Sequence, residues 1–259
     1  MKQPSKPRDF FASGEVVLMG AGPGDPDLLT IKAAKYLAAA DVVLVDDLVS
    51  PELLELAHPK ARIIHVGKRG GCSSTPQKFI EKMMLNEAMS GNRVVRLKGG
   101  DPMMFGRAGE EISALSSQGI KVTLVNGISS GFAAATACGV SLTHRDYSAG
   151  VIFVTGHLKD DDTQPNWEIL AKAKMTLVVY MGLARANLVQ EGLIAGGMSR
   201  TTPVGLVHSA STTKQRVVYT QLQYISKAIQ ENRLESPMIM LIGDVLKALS
   251  QLDTHALAA

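Results

Sequence analysis

The chain has 259 residues, 46% of them hydrophobic and 20% charged, a balance that excludes intrinsic disorder and leaves room for one large core or two compact ones. With 24 Gly and 11 Pro it is neither collagen-like nor of low complexity. The formal net charge of +3, from 27 basic against 24 acidic residues, is too small to point to nucleic acid, so an anionic partner has to be met by a local cluster of cations.

Residues 1–14 are polar and read as a flexible tail. From there, short apolar runs bounded by Gly, Asp or Pro alternate with helix-period stretches, which predicts an α/β chain. Strands are expected over 16–20, 42–46, 62–66, 93–97 and 121–125, and helices over 28–40, 75–89 and 109–118. Runs such as VVLV at 42–45 are β-branched with no alternating polar face, the composition of parallel strands buried on both sides. The stretch THRDYSAG at 143–150 interrupts the pattern and predicts two α/β domains, 15–146 with a mostly parallel sheet and 147–259. In the second, strands are expected over 151–155, 176–180, 203–207, 216–219 and 238–242, with helices over 184–195 and 222–231. Too little chain separates residues 207 and 216 for a crossover helix, so this sheet is expected to be mixed.

Cys72 and Cys138 form neither a disulfide framework nor a zinc-ligand spacing, which suits a reducing compartment. The first residues lack the apolar core of a signal peptide, and no stretch reaches about 18 uninterrupted apolar residues. A soluble, cytoplasmic protein without a membrane partner is expected. The six histidines show no i, i+4 pair and no clustered spacing, so no metal is expected.

Three glycine-bearing loops follow predicted strands. The first, GAGPGDPD (20–27), opens a helix, the place where an α/β sheet binds a ligand's polar end. A dinucleotide fingerprint would need a third glycine at Asp25, and carboxylates there repel a pyrophosphate, so NAD is disfavoured. A bare tight turn with Asp27 capping the helix is the plain alternative. The second loop, RLKGGDPMMFGRAGEE (96–111), combines paired glycines, an acid and flanking cations, which suits an uncharged ribose and an amino-acid moiety better than a phosphate. The third, NGISSG (126–131), opens a small-residue helix. All three lie at strand carboxyl ends, and one cleft with three walls is the simplest arrangement.

The motifs GAGPGDPDLLTIKA (20–33), DLVSP (47–51), VGKR (66–69), RLKGGDP (96–102), LTHRD (142–146), FVTGH (153–157) and YMG (180–182), in this order, resemble the tetrapyrrole methylases over roughly residues 15 to 245. With no dehydrogenase or chelatase domain in the sequence given, the likeness is to the stand-alone form. The resemblance implies a homodimer of two-domain subunits with S-adenosyl-L-methionine in a cleft between the domains. It also implies the reaction, transfer of two methyl groups to C2 and C7 of uroporphyrinogen III to give precorrin-2 and S-adenosyl-L-homocysteine, on the way to sirohaem and cobalamin. Carried over by motif, the cofactor positions are Pro23, Gly99, Gly100, Asp101, Met104, Ser129, Ser130, Met181, Ala210 and Met238. Asp46 and Lys68 take the places of the family's proton acceptor and donor. Lys68, Arg69, Arg96, Lys98, Arg107 and Arg145 are the candidate cations for the eight substrate carboxylates.

The chain departs from the family pattern at Val45, Met103, Ala108 and Asn126. Three rival functions remain open: a methylase of a later corrin intermediate, a module that holds S-adenosylmethionine or a tetrapyrrole without turnover, and, disfavoured by Asp25, an NAD oxidoreductase.

Overall fold

The computed structural model describes residues 10–67, 75–156 and 164–249. The chain divides into two compact units between Ser129 and Ser130. The first unit holds five parallel strands, β1 (Val16–Gly20), β2 (Val42–Val45), β3 (Arg62–His65), β4 (Val94–Lys98) and β5 (Val122–Val125), in the order β3-β2-β4-β1-β5. The helices α1 (Ile31–Ala39), α2 (Gln77–Met89) and α3 (Ala108–Ser116) cover it.

Strand alternation assigns the two faces. Val17, Met19, Val43, Val45, Val95 and Leu97 pack into one apolar cluster with Ala33, Tyr36 and Leu37 of α1. Val16, Leu18, Val42, Leu44 and Val94 pack into another with Ile80 and Met84 of α2 and Leu115 of α3. Even-numbered positions of β2 and β4 therefore face α2 and α3. The parity settles where Asp46, Arg96 and Lys98 go.

The first helix starts later than expected. Pro26–Leu28 is a 3-10 turn, with the Asp25 carboxylate accepting from the Asp27 amide at 2.9 Å, and α1 is capped by Thr30, whose hydroxyl accepts from the Ala33 amide at 3.1 Å. Asp27 is not its cap. Residues 1–9 of the expected tail lie outside the described residues, whereas residues 10–14 are tied down. Phe11 is buried edge-on against Tyr36, and the Gly14 amide donates to the Asn92 carbonyl.

The second unit is built on a mixed sheet of β6 (Val151–Thr155), β7 (Thr176–Tyr180), β8 (Pro203–His208), β9 (Arg216–Gln221) and β10 (Met238–Ile242), ordered β6-β7-β10-β8-β9. Only β6 and β7 pair in parallel; β8 and β9 form the expected antiparallel pair, and β10 runs antiparallel to both β7 and β8. The helices are α4 (Ser130–Ala137), α5 (Trp167–Lys172), α6 (Ala186–Ala195) and α7 (Ile225–Glu231). Helix α4 packs on β7 and β10 and belongs to the second compact unit, which starts at Ser130. Among the described residues no helix is long and apolar enough to cross a membrane.

Candidate active site

In the first unit the loops after β1, β4 and β5 meet backbone to backbone. The Ala21 amide donates to the Lys98 carbonyl at 2.7 Å, and Gly22 and Gly100 exchange amide hydrogen bonds at 3.2 and 2.7 Å. A Cβ placed on Gly20 would lie 2.6 Å from the Cα and amide nitrogen of Gly127, so no larger residue fits where the first and third loops cross. The Asp101 carboxylate fastens the second loop to the third. It accepts from the Met103 amide at 2.7 Å, from the Gly127 amide at 3.0 Å and from the Asn126 side-chain amide at 3.3 Å. Asn126, a departure from the family motif, thus adds a tie. Met104 closes the turn by donating its amide to the Asp101 carbonyl at 3.2 Å.

The loop after β2 lies against the same region. A Cβ on Gly99 would come within 2.8 Å of the Leu48 Cβ, and one on Gly67 would strike the Asp47 carboxylate. Pro23, Gly99, Gly100, Asp101 and Met104 are therefore on loops that touch one another, joined by Ser129 at the end of the third.

Beneath these loops sits a buried ionic network. Parallel pairing sets Leu44 beside Arg96, so Asp46, two residues on, shares the α2/α3 face with Arg96 and Lys98. The Arg96 side chain is 2% exposed and donates through Nη2 to Asp46 Oδ1 at 2.7 Å and through Nε to Glu111 Oε1 at 3.2 Å. Glu111, on α3 and fully buried, also receives Lys98 Nζ on both oxygens, at 3.0 and 3.1 Å, and Gln77 Nε2 at 3.2 Å. Burial and the nearby Arg96 lower the Lys98 ammonium from its ordinary pKa, with Glu111 opposing.

This network corrects one expectation. Arg96 and Lys98 are turned onto internal carboxylates and are not cations offered to a substrate. Arg107 is exposed but pairs with Glu110 at 2.6 Å, and Arg145 is exposed. Lys68, Arg69 and Cys72 lie outside the described residues. Glu111 and Gln77 were not picked out by the sequence reading; the signal for Glu111 was a basic pair on the buried face of β4, which demands a carboxylate nearby.

In the second unit the register of β10 opposite β7 and β8 gathers three expected positions at one sheet end. Ile239 pairs with Tyr180 and Met238 with His208, so Met238 falls beside the loops that carry Met181 and Ala210, and the Ser209 amide donates to the Pro237 carbonyl at 2.9 Å. Met181 is half exposed at φ 52°, while Ala210 is buried between Ser209 and Ser211 at φ 47° and 62°. Met238 packs its side chain into the apolar core. Ser130 opens α4, where the next amide, of Gly131, donates to the Tyr180 hydroxyl at 2.8 Å.

Of the seven non-glycine residues at positive φ among the described residues, five (Phe105, Arg107, Met181, Ser209 and Ser211) are on the loops that leave β4, β7 and β8. Such conformations persist where surrounding structure imposes them and concentrate at binding sites. The thiol of Cys138 is buried, which pushes it up to about 11, and it is not a nucleophile at neutral pH. Among the described residues no three His, Cys, Asp or Glu side chains gather as a metal site.

Comparison with known proteins gives this arrangement a context. The family model of the tetrapyrrole (corrin/porphyrin) methylases matches residues 15–225. A uroporphyrinogen-III C-methyltransferase of Pseudomonas aeruginosa is 52% identical over 235 residues, covering 91% of this chain and 95% of that protein. The chain spans about half the length of the sirohaem synthases it also matches. Among solved structures, the uroporphyrin-III C-methyl transferase of Thermus thermophilus complexed with S-adenyl homocysteine is 38% identical, covers 90% of this chain and 94% of its own, and superposes with a TM-score of 0.77. A cobalt precorrin-4 methyltransferase of cobalamin biosynthesis is 32% identical over 90% of this chain and 96% of its own, with a TM-score of 0.80.

Proposed function

The chain belongs to the tetrapyrrole (corrin/porphyrin) methylases, and from that membership we propose that it methylates uroporphyrinogen III at C2 and C7, giving precorrin-2 in the route to sirohaem and cobalamin. The observation that carries this reading is the set of three interlocked loops, fastened by Asp101, above the paired Asp46 carboxylate.

The residues present fit S-adenosylmethionine. The crossing of the first, second and third loops is lined by glycine backbone, while the two cations of β4 are held by Glu111 and Asp46. A phosphate would find little countercharge there, whereas adenosine and an amino-acid group are served by backbone amides and carbonyls. Gly99, Gly100, Asp101, Met104, Pro23 and Ser129 of the first unit, with Ser130, Met181, Ala210 and Met238 of the second, are the proposed cofactor contacts. When bound, S-adenosylmethionine supplies a methyl already activated on a sulfonium.

The protein's own task is then to orient the substrate and take up a proton. A pyrrole carbon that has gained a methyl leaves a cationic ring, and that ring sheds one proton. With Asp46 Oδ1 held by Arg96, Oδ2 is the atom that receives it. Lys68 is the proton donor by resemblance alone. Most of the rate gain is assigned to alignment, because the donor is already activated. A homodimeric, cytoplasmic enzyme belongs to the same reading, supported by the resemblance and by the cysteine usage.

Methylation of a later corrin intermediate is the second reading, favoured by the likeness to the cobalt precorrin-4 enzyme. Anaerobic incubation with uroporphyrinogen III and S-adenosylmethionine separates the two. Dimethylated product by mass spectrometry supports the first reading, and its absence beside turnover of a later precursor supports the second.

A further inference from the structure

Glu111 has no place in the chemistry derived above, yet among the described residues of the first unit it is the most enclosed carboxylate. It is fully buried, receives a guanidinium, an ammonium and a side-chain amide, and sits one residue past the exposed Glu110–Arg107 pair. The network has two cations, Arg96 and Lys98, and two carboxylates, Glu111 and Asp46. Three of the four side chains are 5% exposed or less, and Asp46, at 31%, is the one that reaches the surface.

A buried ion cluster is a poor way to gain stability, since well-packed apolar residues serve as well or better. The other positions of β2 and β4 on this face are Val42, Leu44 and Val94, all fully buried, so an apolar solution is at hand. What the ions achieve and apolar residues would not is a fixed carboxylate at the rim. Arg96 is a rigid fork, with Nε on Glu111 and Nη2 on Asp46, so the position of one carboxylate fixes the other.

We propose that Glu111 is a positioning residue for the methyl transfer, acting through the Arg96 guanidinium to hold the Asp46 carboxylate in place, with Lys98 balancing its charge. The inference rests on the functional reading that Asp46 accepts the proton.

Replacing Glu111 by Gln keeps the shape and one acceptor but leaves two buried cations facing Asp46 alone. The surplus positive charge draws on the Asp46 carboxylate and weakens it as a proton acceptor. Glu111→Gln is expected to lower kcat by about tenfold, with the KM for uroporphyrinogen III and the calorimetric affinity for S-adenosylmethionine within about twofold of the parent. Adding Lys98→Met removes the surplus charge, while the carboxamide oxygen introduced by Glu111→Gln still accepts from Arg96 Nε. The double variant is expected to recover kcat to within about threefold of the parent.

A part played only in holding the fold would lower melting temperature and cofactor affinity together, and the second substitution would compound the loss. If Glu111→Gln does not fold by circular dichroism, the double variant is assayed alone: kcat near the parent supports the proposal, and a folded double variant tenfold slower overturns it. A parent chain that methylates nothing sinks the functional reading and this inference with it. A parent that turns over uroporphyrinogen III beside a Glu111→Gln protein of unchanged kcat overturns this inference alone.

Discussion

The Asp101 carboxylate, on the loop after β4, accepts a hydrogen bond from the Gly127 amide on the loop after β5 at 3.0 Å. Its other oxygen is taken by the Met103 amide at 2.7 Å, so one side chain sets the shape of its own turn and ties it to the next. The family position expected to touch the cofactor is thus also the fastener of the loops that would form its bed.

Asp101→Ala is expected to weaken S-adenosylmethionine by about tenfold or more, because the Gly127 amide loses a charge-assisted partner and the two loops separate. Asp101→Asn, which keeps an acceptor, is expected to weaken it less. Isothermal calorimetry on both variants checks this; an unchanged affinity in Asp101→Ala removes the residue from the site.

Gly127 and Gly109 make a contrast within the same unit. A Cβ on Gly127 would lie 2.8 Å from the Gly20 Cα, backbone that cannot give way, whereas one on Gly109, inside α3, would meet nothing within 4 Å. Gly127→Ala is expected to destabilise by about 1–3 kcal/mol through overpacking and to impair cofactor binding. Gly109→Ala is expected to be neutral or to stabilise by about 0.5–1 kcal/mol through helix propensity. Urea unfolding ranks the pair, and equal stabilities would contradict the close crossing of the loops.

At the opposite end of β1, Glu15 gives a pH-dependent test. Burial raises its carboxyl, but hydrogen bonds from the Thr123 hydroxyl, the Ala12 amide and the Lys121 ammonium outweigh that and hold it below the usual range. A carboxyl lowered on folding stabilises above its unfolded value, about 4.3, and loses that contribution as pH falls through the folded value. Glu15→Gln is expected to cost about 1–3 kcal/mol at pH 7, with the deficit shrinking below about pH 4. Urea titrations at both pH values would show it; a deficit that does not depend on pH would contradict the ionised, hydrogen-bonded carboxylate.

Much of the fold was legible because burial on both faces leaves a strong mark. VVLMG, VVLV and MIMLI lie in β1, β2 and β10 as expected, each buried along its length. Helix α5 was missed: it has six residues, too few for a period, and is placed by Trp167 packing near Gly192. Helix α4, SGFAAATA, carries small residues all round and has no amphipathic stripe to tell from the sequence which sheet it covers.

The glycine loops were legible from their place at strand ends, and the structure joins those of the first unit. Arg96 and Lys98 were misread as substrate cations because they were read as part of the loop motif RLKGGDP. Counted along the strand from Val94, they take the buried face, where a cation needs a carboxylate, and Glu111 supplies it from the next helix.

The central claim is double methylation of uroporphyrinogen III, and the most direct measurement is carbon NMR of the product formed anaerobically with S-adenosylmethionine carrying a labelled methyl carbon. Two labelled methyl resonances, assigned to C2 and C7, with two S-adenosylhomocysteine released per product, is the expected result. No label in uroporphyrinogen III, beside label incorporated into a later corrin precursor, would contradict it.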